Sequence, residues 1–583
     1  MFPLIVIPVR GGSKGIPKKN LQPVAGVSLV GRAVRAAKEA CRLLGGGRVV
    51  VDSDADDLLA EARRWGAETP YVRPAHLASD TAGSMDVLRH ALTVLGITAG
   101  DATPIVLVQA TSPLVTGRHI ADAVLAYDQD PVVSVCPAEH HPAWSFRQVG
   151  GVIHALVPDL AATRRQDLPP AFRLTGAVYV GSAADVHAGK HFVQPGRTRA
   201  VLLDAAHAVD VDHPSDLQVA EALATPVVTP FRLGGRLIGP GHPAYIIAEA
   251  GVNHDGDLAE AHRLVDAAAD AGADAVKFQT WRTELLVKPG AATAAYQQDA
   301  TGAVDQYTML KALELPEAWH AELRDHAAAR GIHFMSTPDE IVSARFLATL
   351  GVPAMKVGSA ELDNLPFLAQ IADLCRGHSM PLLLSTGMGD LTEVLTAVDT
   401  LRNILTANGG PGLALFHCVS QYPAPLDEMN VRAIATLRRA TGLPVGLSDH
   451  YPGPEAALAA VGVGMDIWEK HLTCDVNRPG PDHRMSLEPA ELKRQIDLVR
   501  KAERALGDGH KVPRASEAGT KLVVRKRLCA ARAIAAGQVI TAEDLTGLRT
   551  ETGLPVSAWA EVVGRTAARA IDHLDPITPE TLA

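Results

Sequence analysis

Few cysteines, few aromatic residues and no long apolar run characterise this chain of 583 residues. The six cysteines are scattered without a C-x-x-C pair, which predicts reduced thiols in a cytoplasmic protein and no disulfide framework. With 4% aromatic residues and a net charge of −10, no nucleic-acid partner is expected. No run of about 18 apolar residues occurs, and the apolar start of the chain is too short for a signal peptide, so no membrane partner is expected.

What the sequence does contain is the composition of a folded globular protein. Hydrophobic residues make up 47% and charged residues 21%, which excludes disorder, collagen-like repeats and coiled coil as the main architecture. The length predicts about four domains, or fewer if one is a large barrel.

Residues 1–222 alternate short apolar runs with amphipathic segments, which predicts an α/β/α domain with a mostly parallel sheet. The predicted strands are Leu4–Val9, Arg48–Val51, Pro104–Gln109, Val132–Val135 and Ala177–Val180. The predicted helices are Ser28–Leu44, Asp56–Trp65 and Ser84–Leu95. Residues 223–243 are rich in proline and glycine and predict a linker.

Residues 244–505 contain eight apolar runs, each followed by a helical segment, and this count predicts a TIM (β/α)8 barrel. The runs are Tyr245–Ala250, Ala275–Gln279, His333–Ser336, Ala354–Val357, Pro381–Leu384, Leu413–His417, Pro444–Leu447 and Asp466–Trp468. Every run ends in polar residues, and the carboxyl ends of barrel strands are where such enzymes carry their chemistry.

A second linker, residues 506–521, separates the barrel from a small C-terminal domain, residues 522–583. Within it, Arg532–Leu545 predicts a turn and a strand followed by a short helix that Thr541 caps.

The loop after the first strand, Arg10–Asn20, is rich in glycine and basic residues. Its glycines would let the backbone approach a phosphate, and Arg10, Lys14 and Lys19 would neutralise it. A solvated turn is the alternative, and the spacing of a Walker loop is absent.

Several motifs together resemble the CMP-sialic acid synthetases, or acylneuraminate cytidylyltransferases, over residues 3–222. Besides the loop, the matching stretches are residues 73–81, 109–114, 164–170 and 210–212. The resemblance implies a Rossmann-like nucleotidyltransferase domain. Two positions depart from the family: Thr175 replaces an asparagine, and residues 51–54 read Val-Asp-Ser-Asp where Thr-Asp-Ser-Glu is commoner.

The resemblance assigns roles position by position. Arg10 and Lys19 would hold the triphosphate of CTP and act in catalysis, with Ser13 and Lys14 in the same nucleotide-binding loop. The remaining predicted contacts are Asn20 and Arg73 to cytidine, Gln109, Arg164 and Arg165 to the sugar acid, and Asp210 and Asp212 to Mg²⁺. Helix capping before Pro214 is the alternative for the two aspartates.

The predicted barrel resembles the sialic acid synthases, which condense phosphoenolpyruvate with an N-acylated hexosamine. The matching stretches are residues 247–254, 274–279, 336–338, 356–359, 385–388, 417–423, 446–450, 469–471 and 479–483. A phosphate and a carboxylate need cations and hydroxyl or amide donors. The candidates for binding phosphoenolpyruvate are Lys277, Gln279, Thr337, Lys356, Ser359, Ser385 and Tyr422.

A divalent metal would activate the sugar aldehyde, and His450 and His471 are its candidate ligands. Imidazoles with open water positions suit Mn²⁺, although zinc or cobalt could also bind. Two histidines in the core of the protein are the alternative. The resemblance implies that Glu249, Lys277 and Asp482 are the catalytic residues. Glu249 would be the acid/base, and Asp482 would also bind the hydroxyls of the hexosamine. A buried salt bridge between Glu249 and Lys277 is compatible with that role.

Residues 522–583 resemble the antifreeze-like, or SAF, domain of these synthases, which reaches the barrel of the partner subunit. Arg549 would contact the N-acyl group of the sugar, although the usual Arg-Pro-Gly is absent, and a solvent-exposed charge is the alternative. Ice binding is not expected, because the sequence lacks a regular threonine array. The resemblance implies a homo-oligomer, a dimer or a tetramer, that exchanges its SAF domains.

The prediction is a bifunctional transferase of nonulosonic acid biosynthesis with CTP, phosphoenolpyruvate and an N-acylated hexosamine of the N-acetylmannosamine type as substrates. The barrel would make a nine-carbon keto acid, such as sialic acid, and the first domain would activate it with CTP. Two alternatives stay open. The acid could be legionaminic or another acylated nonulosonic acid, or one domain could have lost catalysis and serve as an oligomerising scaffold.

Overall fold

The computed structural model describes residues 2–13, 15–79, 81–160, 164–292, 305–405 and 410–583, without the side chains of Leu160, Arg165 and Asn403. The chain divides into two compact units, Met1–Ala505 and Leu506–Ala583. The division falls where the predicted barrel region ends. None of the described helices is both long and apolar enough to cross a membrane.

The first region is an α/β domain around a six-stranded sheet. The strands of the whole region, inside and outside that sheet, are β1 (Leu4–Pro8), β2 (Pro23–Val24), β3 (Val27–Ser28), β4 (Arg48–Asp52), β5 (Pro104–Val108), β6 (Val132–Pro137), β7 (Phe146–Val149), β8 (Val152–Ala155), β9 (Phe172–Ser182) and β10 (Arg199–Leu202). The order in the main sheet is β10-β6-β9-β5-β1-β4, and only β9 runs antiparallel to its neighbours. The pairs β2–β3 and β7–β8 are separate hairpins. The predicted, mostly parallel sheet is confirmed.

Helices cover the sheet on both faces, as two separate apolar clusters show. They are α1 (Leu29–Leu43), α2 (Asp56–Arg64), α3 (Ser84–Val94), α4 (Gly117–Leu125), α5 (Ala183–His187) and α6 (Pro214–Ala224). Helix α1 begins where Ser28 Oγ accepts a hydrogen bond from Gly31 N–H. Its buried stripe, including Val30, Val34 and Ala37, packs against the strands of the first cluster.

Part of the predicted linker is folded. Phe231–Leu233 (β11) and Arg236–Ile238 (β12) form an antiparallel hairpin. Gly234 and Gly235 both have positive φ, as the tight two-residue turn of such a hairpin requires. Leu233 and Ile238 are buried among the barrel's interior side chains, so this stretch is not the extended connection that its composition predicts.

The second region is a nearly closed barrel of eight parallel strands, each at its predicted place. They are β13 (Tyr245–Gly251), β14 (Ala275–Thr280), β15 (His333–Pro338), β16 (Met355–Val357), β17 (Leu382–Ser385), β18 (Leu413–Cys418), β19 (Val445–Asp449) and β20 (Ile467–His471). The hydrogen-bonded order is β15-β14-β13-β20-β19-β18-β17-β16, and the end strands β15 and β16 contact each other. The barrel prediction is confirmed.

The helices of this region surround the barrel. They are α7 (Leu258–Ala271), α8 (Thr283–Leu286), α9 (Gln306–Ala312), α10 (Glu317–Ala329), α11 (Ile341–Leu350), α12 (Leu365–Gly377), α13 (Leu391–Leu405), α14 (Ala433–Thr441), α15 (Glu455–Gly462) and α16 (Pro489–Leu506). Apolar side chains such as Tyr245, Met335 and Phe416 fill the interior, and the polar side chains lie at the carboxyl ends of the strands.

The first region and the barrel share an apolar contact. Leu395 of α13 is 2% exposed and belongs to the core that α1 forms with its sheet. Two ion pairs flank it, Arg35 Nη2 to Asp399 Oδ2 at 2.9 Å and Arg64 Nε to Asp390 Oδ2 at 3.2 Å. The two regions therefore pack directly against each other within one compact unit.

The second unit contains α17 (Ala518–Val524), α18 (Trp559–Val562) and the antiparallel strands β21 (Lys526–Ala530) and β22 (Leu545–Arg549). Its own apolar core includes Leu528, Ile540 and Ile577. Thr541 caps the short 3-10 helix Ala542–Asp544, as its sequence predicts.

Candidate active sites

A cavity of about 290 Å³ opens in the first region, where β1 and β5 end. Six of the residues predicted for nucleotide or sugar-acid binding line it: Arg10, Ser13, Lys19, Asn20, Arg73 and Gln109. The glycine-rich loop reaches the cavity because Val9 N–H bonds Asp52 O at 3.0 Å and Gly11 N–H bonds Asp54 Oδ1 at 3.0 Å. The fold thus gathers side chains that are up to about 100 residues apart in sequence.

Arg73 is held rigidly at this cavity by Asp52. Its Nε lies 3.1 Å from Asp52 Oδ2, its Nη2 donates to Asp52 O at 2.6 Å, and both residues are buried. Burial raises the pKa of Asp52, and the neighbouring Arg73 opposes that shift. Sequence reasoning assigned no role to Asp52, although its place at the end of a buried strand was a usable signal.

Lys19 connects the glycine-rich loop to the predicted metal-binding pair. Its Nζ donates to Val211 O at 2.8 Å and lies 3.1 Å from Asp212 Oδ1. Desolvation raises the pKa of Asp210, and the nearby charge of Asp212 adds to the shift. Neither aspartate lines the cavity, but Lys19 does. Two carboxylates that repel each other fit a hard divalent cation such as Mg²⁺.

Helix capping before Pro214 falls to another residue. Asp216 Oδ2 accepts hydrogen bonds from His213 N–H at 2.7 Å and Asp212 N–H at 2.9 Å. The carboxylates of Asp210 and Asp212 are therefore not needed to cap α6, which weakens the alternative to metal binding.

The other predicted contacts of the first region lie elsewhere. Arg164 is exposed, pairs with Asp167 at 2.7 Å and does not line the cavity. Lys14 and the side chain of Arg165 lie outside the described residues. Thr175, which departs from the family pattern, is buried with its hydroxyl 2.6 Å from Ser134 Oγ, so it faces the sheet interior and not the cavity.

The barrel site is built around a buried ion pair. Strand register places Glu249 directly beside Lys277 on one side and His471 on the other. Lys277 Nζ lies 2.6 Å from Glu249 Oε2 and donates to Thr337 Oγ1 at 2.9 Å, while Gln279 Nε2 donates to Glu249 Oε1 at 3.0 Å. The salt bridge that the sequence suggested for Glu249 is present, and it lies within the site.

A second carboxylate, that of Glu469, lies beside the same lysine and completes a cluster of four ionisable residues. Glu469 Oε1 lies 3.8 Å from Lys277 Nζ and 3.6 Å from Lys356 Nζ, and Ser448 Oγ donates to it at 3.2 Å. Although burial opposes the shift, the two ammonium groups hold the pKa of Glu469 below its usual range. Glu469 lies in the stretch 469–471 that resembles the synthases, but sequence reasoning gave it no role.

Glu249 is the member of the cluster that is poised to exchange a proton. Its side chain is 2% exposed, and burial raises its pKa to about 7 against the attraction of Lys277. A carboxyl group with a pKa near neutrality suits general acid and base catalysis.

Three of the residues predicted to bind phosphoenolpyruvate lie on or just after β16 and β17: Lys356, Ser359 and Ser385. Ser359 Oγ accepts from Gly387 N–H at 3.0 Å and lies 3.1 Å from Cys418 Sγ. A Cβ at Gly387 would lie 2.8 Å from each of those two atoms, so only glycine fits between them. Lys356, the middle residue of β16, and Ser385, the last residue of β17, are both buried.

His450 and His471 lie side by side, with ring centroids 5.5 Å apart. His450 Nδ1 lies 2.6 Å from Val419 O, which leaves Nε2 available, and His471 Nδ1 is buried without a hydrogen-bond partner. Desolvation lowers the pKa of both imidazoles, so both are neutral and keep a free lone pair at pH 7. Two neutral imidazoles, one of which has a buried ring nitrogen without a hydrogen-bond partner, fit a divalent cation.

That cation would need water or substrate for its other positions. Among the described residues, no three His, Cys, Asp or Glu side chains cluster as a complete metal cage. Asp482 Oδ2 lies 3.8 Å from His471 Nδ1, and the ring of Tyr422 is 4.2 Å from that of His450. Asp482 and Tyr422 are thus the polar neighbours of the two histidines.

Asp482 points to the same space as Glu249. Burial raises its pKa to about 6. Gly251 has a φ of +51° at the end of β13, and a Cβ there would lie 3.3 Å from Asp482 Oδ2 and 3.4 Å from both Gln279 Nε2 and Glu249 Oε1. Three polar side chains thus converge above a glycine that leaves them room.

Arg549 lies in the second unit, at the exposed end of β22, where it pairs in register with Lys526. Its predicted contact with the sugar stays a prediction.

Fold and sites together define the class of protein: a nucleotide-binding α/β domain and a barrel enzyme joined in one chain. Three family descriptions match, "Cytidylyltransferase" over residues 4–162, "NeuB family" over residues 264–511 and "SAF domain" over residues 526–583. The predicted combination of a cytidylyltransferase, a synthase barrel and a SAF domain is confirmed, and the chain is a transferase.

The most similar relatives include two proteins called N,N'-diacetyllegionaminic acid synthase. The one from Legionella pneumophila is 43% identical over 56% of this chain and 91% of its own length, and the one from Campylobacter jejuni is 41% identical over 56% and 96%. The chain belongs to the NeuB family. Among solved structures, an N-acetylneuraminic acid (sialic acid) synthetase from Leptospira borgpetersenii is 33% identical over 51% of this chain and 96% of that chain, with a TM-score of 0.45.

Proposed function

We propose that the chain catalyses two successive reactions of nonulosonic acid biosynthesis. The barrel condenses phosphoenolpyruvate with an N-acylated hexosamine and releases phosphate. The first domain then transfers CMP from CTP to the resulting nine-carbon keto acid and releases pyrophosphate. The observation that carries the proposal is the buried cluster of Glu249, Lys277, Lys356 and Glu469 at the mouth of a NeuB-family barrel.

The charge of this cluster supports phosphoenolpyruvate as a substrate. Two lysines share the cluster with two carboxyl groups, and burial raises the pKa of one of these, Glu249, to about 7, so protonation of Glu249 leaves the cluster with a net positive charge. An incoming anion competes with Glu249 and Glu469 for the ammonium groups. Its phosphate and carboxylate would be held by Lys277, Lys356 and the hydroxyl groups of Thr337, Ser359 and Ser385.

The reaction forms one carbon–carbon bond and breaks one bond to phosphate. Carbon 3 of phosphoenolpyruvate attacks the aldehyde carbon, and the aldehyde oxygen takes up a proton and becomes a hydroxyl group. Water then adds at carbon 2, and the tetrahedral intermediate loses phosphate. Glu249, with its pKa raised to about 7, gives the aldehyde oxygen its proton and takes one back from that water, while Lys277 and Gln279 hold its carboxylate in place. The second proton of the water leaves with the phosphate as the ketone forms.

His450 and His471 would hold a divalent cation, which supplies Lewis-acid polarisation of the aldehyde. Asp482 would bind the hydroxyl groups of the sugar, because its carboxylate lies between His471 and Gly251, next to Glu249. Tyr422 would contact the substrate next to His450. Mn²⁺ is the proposed cation.

The first domain would bind CTP in the cavity that Arg10 and Lys19 line. These two cations would neutralise the triphosphate, with Mg²⁺ held by Asp210 and Asp212. The buried Arg73, fixed by Asp52, and Asn20, which donates to Arg10 O at 3.2 Å, supply rigid donors for the cytosine base. Gln109, which also lines the cavity, would contact the sugar acid.

The identity of the acid is the open choice within this function. Two relatives match this chain over 91% and 96% of their own length, at 43% and 41% identity. Both are called N,N'-diacetyllegionaminic acid synthase, and this favours the legionaminic alternative. The scaffold alternative is weakened because both sites keep their polar side chains. The test is phosphate release from phosphoenolpyruvate with a panel of hexosamines that carry one or two acylamino groups. Release with none of them would contradict the proposal.

We also propose a homo-oligomer, a dimer or a tetramer, in which the SAF domain supplies Arg549 to the barrel of the partner subunit. Subunits carrying Arg549→Ala and subunits carrying His471→Ala should regain condensation when they are mixed and exchanged. A monomer by light scattering, or no restored activity after exchange, would contradict this assembly.

A further inference from the structure

Two loops at the mouth of the barrel are connected by buried side chains that the proposed chemistry does not use. The loop after β13 runs from Val252 to Asp257, and the loop after β20 runs from Leu472 to Glu488. The second loop carries Asp482. Its hydrogen bonds to the first loop determine where that carboxylate lies.

His483 is the centre of the connection between the loops. It is fully buried, with Nε2 3.1 Å and 3.2 Å from the two carboxylate oxygens of Asp255 and with Nδ1 2.7 Å from Thr473 Oγ1. Because a carboxylate only accepts, Nε2 donates to Asp255, and Nδ1 is hydrogen-bonded to the Thr473 hydroxyl, which also lies 3.1 Å from Asp475 O. Both ring nitrogens of His483 therefore have a partner from one of the two loops.

The residues around Asp255 and Gly480 hold the ring of His483 in place. Asp255 has a φ of +50° and also contacts Arg478, whose Nη1 lies 3.0 Å from the buried Glu260 Oε2. A Cβ at Gly480 would lie 2.6 Å from His483 Cδ2, so a glycine is needed beside the ring. This packing fixes the residue that directly follows Asp482.

A second hydrogen-bonded chain holds Asp482 itself. Ser486 Oγ donates to Asp482 O at 2.6 Å, and Asn253 Nδ2 donates to Ser486 Oγ and to Leu472 O, both at 2.9 Å. Every second residue from Glu249 to Asp255 takes part: Glu249, Gly251, Asn253 and Asp255. The segment that carries the acid/base therefore also holds the loop of Asp482.

We infer that His483 and Asp255 are positioning residues that hold the Asp482 carboxylate over the barrel site and thereby set the affinity for the sugar acceptor, and not for phosphoenolpyruvate. The inference rests on the proposed function, in which Asp482 binds the hydroxyl groups of the sugar. Neither residue contacts the cluster of Lys277, Lys356 and Glu469 in any described hydrogen bond or ion pair, so the binding of phosphoenolpyruvate is unaffected.

The test is steady-state condensation by the full chain, with phosphate release measured against each substrate in turn. His483→Gln and Asp255→Asn should each raise the KM for the sugar about tenfold or more and change the KM for phosphoenolpyruvate less than about twofold. Asp255→Asn keeps the size of a side chain that is only partly buried, so it serves if His483→Gln does not fold. Asp255→Glu, which keeps the charge, should recover part of the affinity.

A matched control separates positioning from loss of stability. His333 binds Tyr245 Oη at 2.6 Å at the opposite end of the barrel, so His333→Gln should lower the melting temperature without changing the KM for the sugar. In an Asp482→Asn background, His483→Gln should raise the KM for the sugar less than about twofold, because it acts through a carboxylate that is already lost.

The outcomes distinguish the inference from the function on which it rests. If Asp482→Asn raises the KM for the sugar but His483→Gln and Asp255→Asn do not, the inference is wrong and the proposed function stands. An equal rise in the KM for the sugar when His483→Gln is added to the wild type and to Asp482→Asn would also overturn the inference. If the wild-type chain releases no phosphate with any acylated hexosamine, or if Asp482→Asn changes nothing, the role proposed for Asp482 fails and the inference falls with it.

Discussion

Lys277 and Glu249 face each other across adjacent barrel strands, with Nζ and Oε2 2.6 Å apart and both side chains 2% exposed. Removing one charge from such a pair leaves the other buried without a partner, which costs about 3–5 kcal/mol. The pair therefore has a structural role as well as a chemical one, and variants must be chosen to separate the two.

Glu249→Gln keeps the size of the side chain and its hydrogen bond from Gln279, but it can no longer take up a proton. We expect kcat for condensation to fall by about 10²–10⁴-fold, as for the loss of a general base. Phosphate release measures this, and the cytidylyl transfer of the same preparation is the internal control. A variant that keeps more than half of the wild-type rate would rule out Glu249 as the acid/base.

The two sites should differ in their metal preference. The first domain offers the carboxylates of Asp210 and Asp212, and the barrel offers the imidazoles of His450 and His471. After treatment with a chelator, Mg²⁺ should restore cytidylyl transfer but restore condensation poorly, whereas Mn²⁺ should restore condensation. Equal condensation rates with both ions would count against direct ligation by the two histidines.

The contact between the two catalytic regions should depend on its apolar part. Leu395→Ala removes a side chain that is 2% exposed in the core of the first region and should destabilise the folded chain by about 2–5 kcal/mol. Arg35→Ala breaks an exposed ion pair with Asp399 and should cost less than about 1 kcal/mol. Denaturant unfolding measures the free energy of unfolding of both variants. A larger loss in Arg35→Ala than in Leu395→Ala would show that the ion pair, and not the apolar contact, stabilises the junction.

Asp544 should make the second unit sensitive to acid. Its carboxylate accepts from Thr541 N–H at 2.8 Å and from Arg532 Nε at 2.6 Å, and these hydrogen bonds lower its pKa to about 2. Because that value lies below about 3.9 in the unfolded chain, the stabilisation is present above pH 4 and is lost as the pH falls towards 2.

Asp544→Asn should therefore destabilise the second unit by about 1–3 kcal/mol at pH 7 and by much less near pH 2. Hydrogen exchange of the amides of residues 541–545 in the full chain measures the change. Asp572→Asn, at an exposed position of the same unit, is the matched control. An equal effect of the two substitutions at pH 7 would contradict the role of Asp544.

Much of the barrel could be predicted from the sequence, because parallel strands that are buried on both faces read as short apolar runs. The polar residues that end those runs then fall at one end of the barrel. Glu469 was visible in the same way, but its position between Lys277 and Lys356 depends on register across three strands. Sequence alone does not show which strand end faces which charge.

The hairpin Phe231–Ile238 was missed for a different reason. Its proline- and glycine-rich surroundings are typical of a linker, whereas the pair Gly234 and Gly235 between two apolar triplets is a hairpin signal. Only the burial of Leu233 and Ile238 in the barrel interior decides between the two interpretations. The contact through Leu395 could not be predicted at all, because it joins segments about 360 residues apart.

The most direct measurement of the proposed function is one reaction mixture of the purified chain with phosphoenolpyruvate, an accepted hexosamine and CTP. The wild type should form the CMP-linked nine-carbon acid with one phosphate and one pyrophosphate per product. Arg10→Ala should stop at the free acid, and His471→Ala should form none but should still activate acid that is supplied. If either substitution abolishes both half-reactions in a folded protein, or if the wild type forms neither product, the chain does not work as two independent catalytic sites.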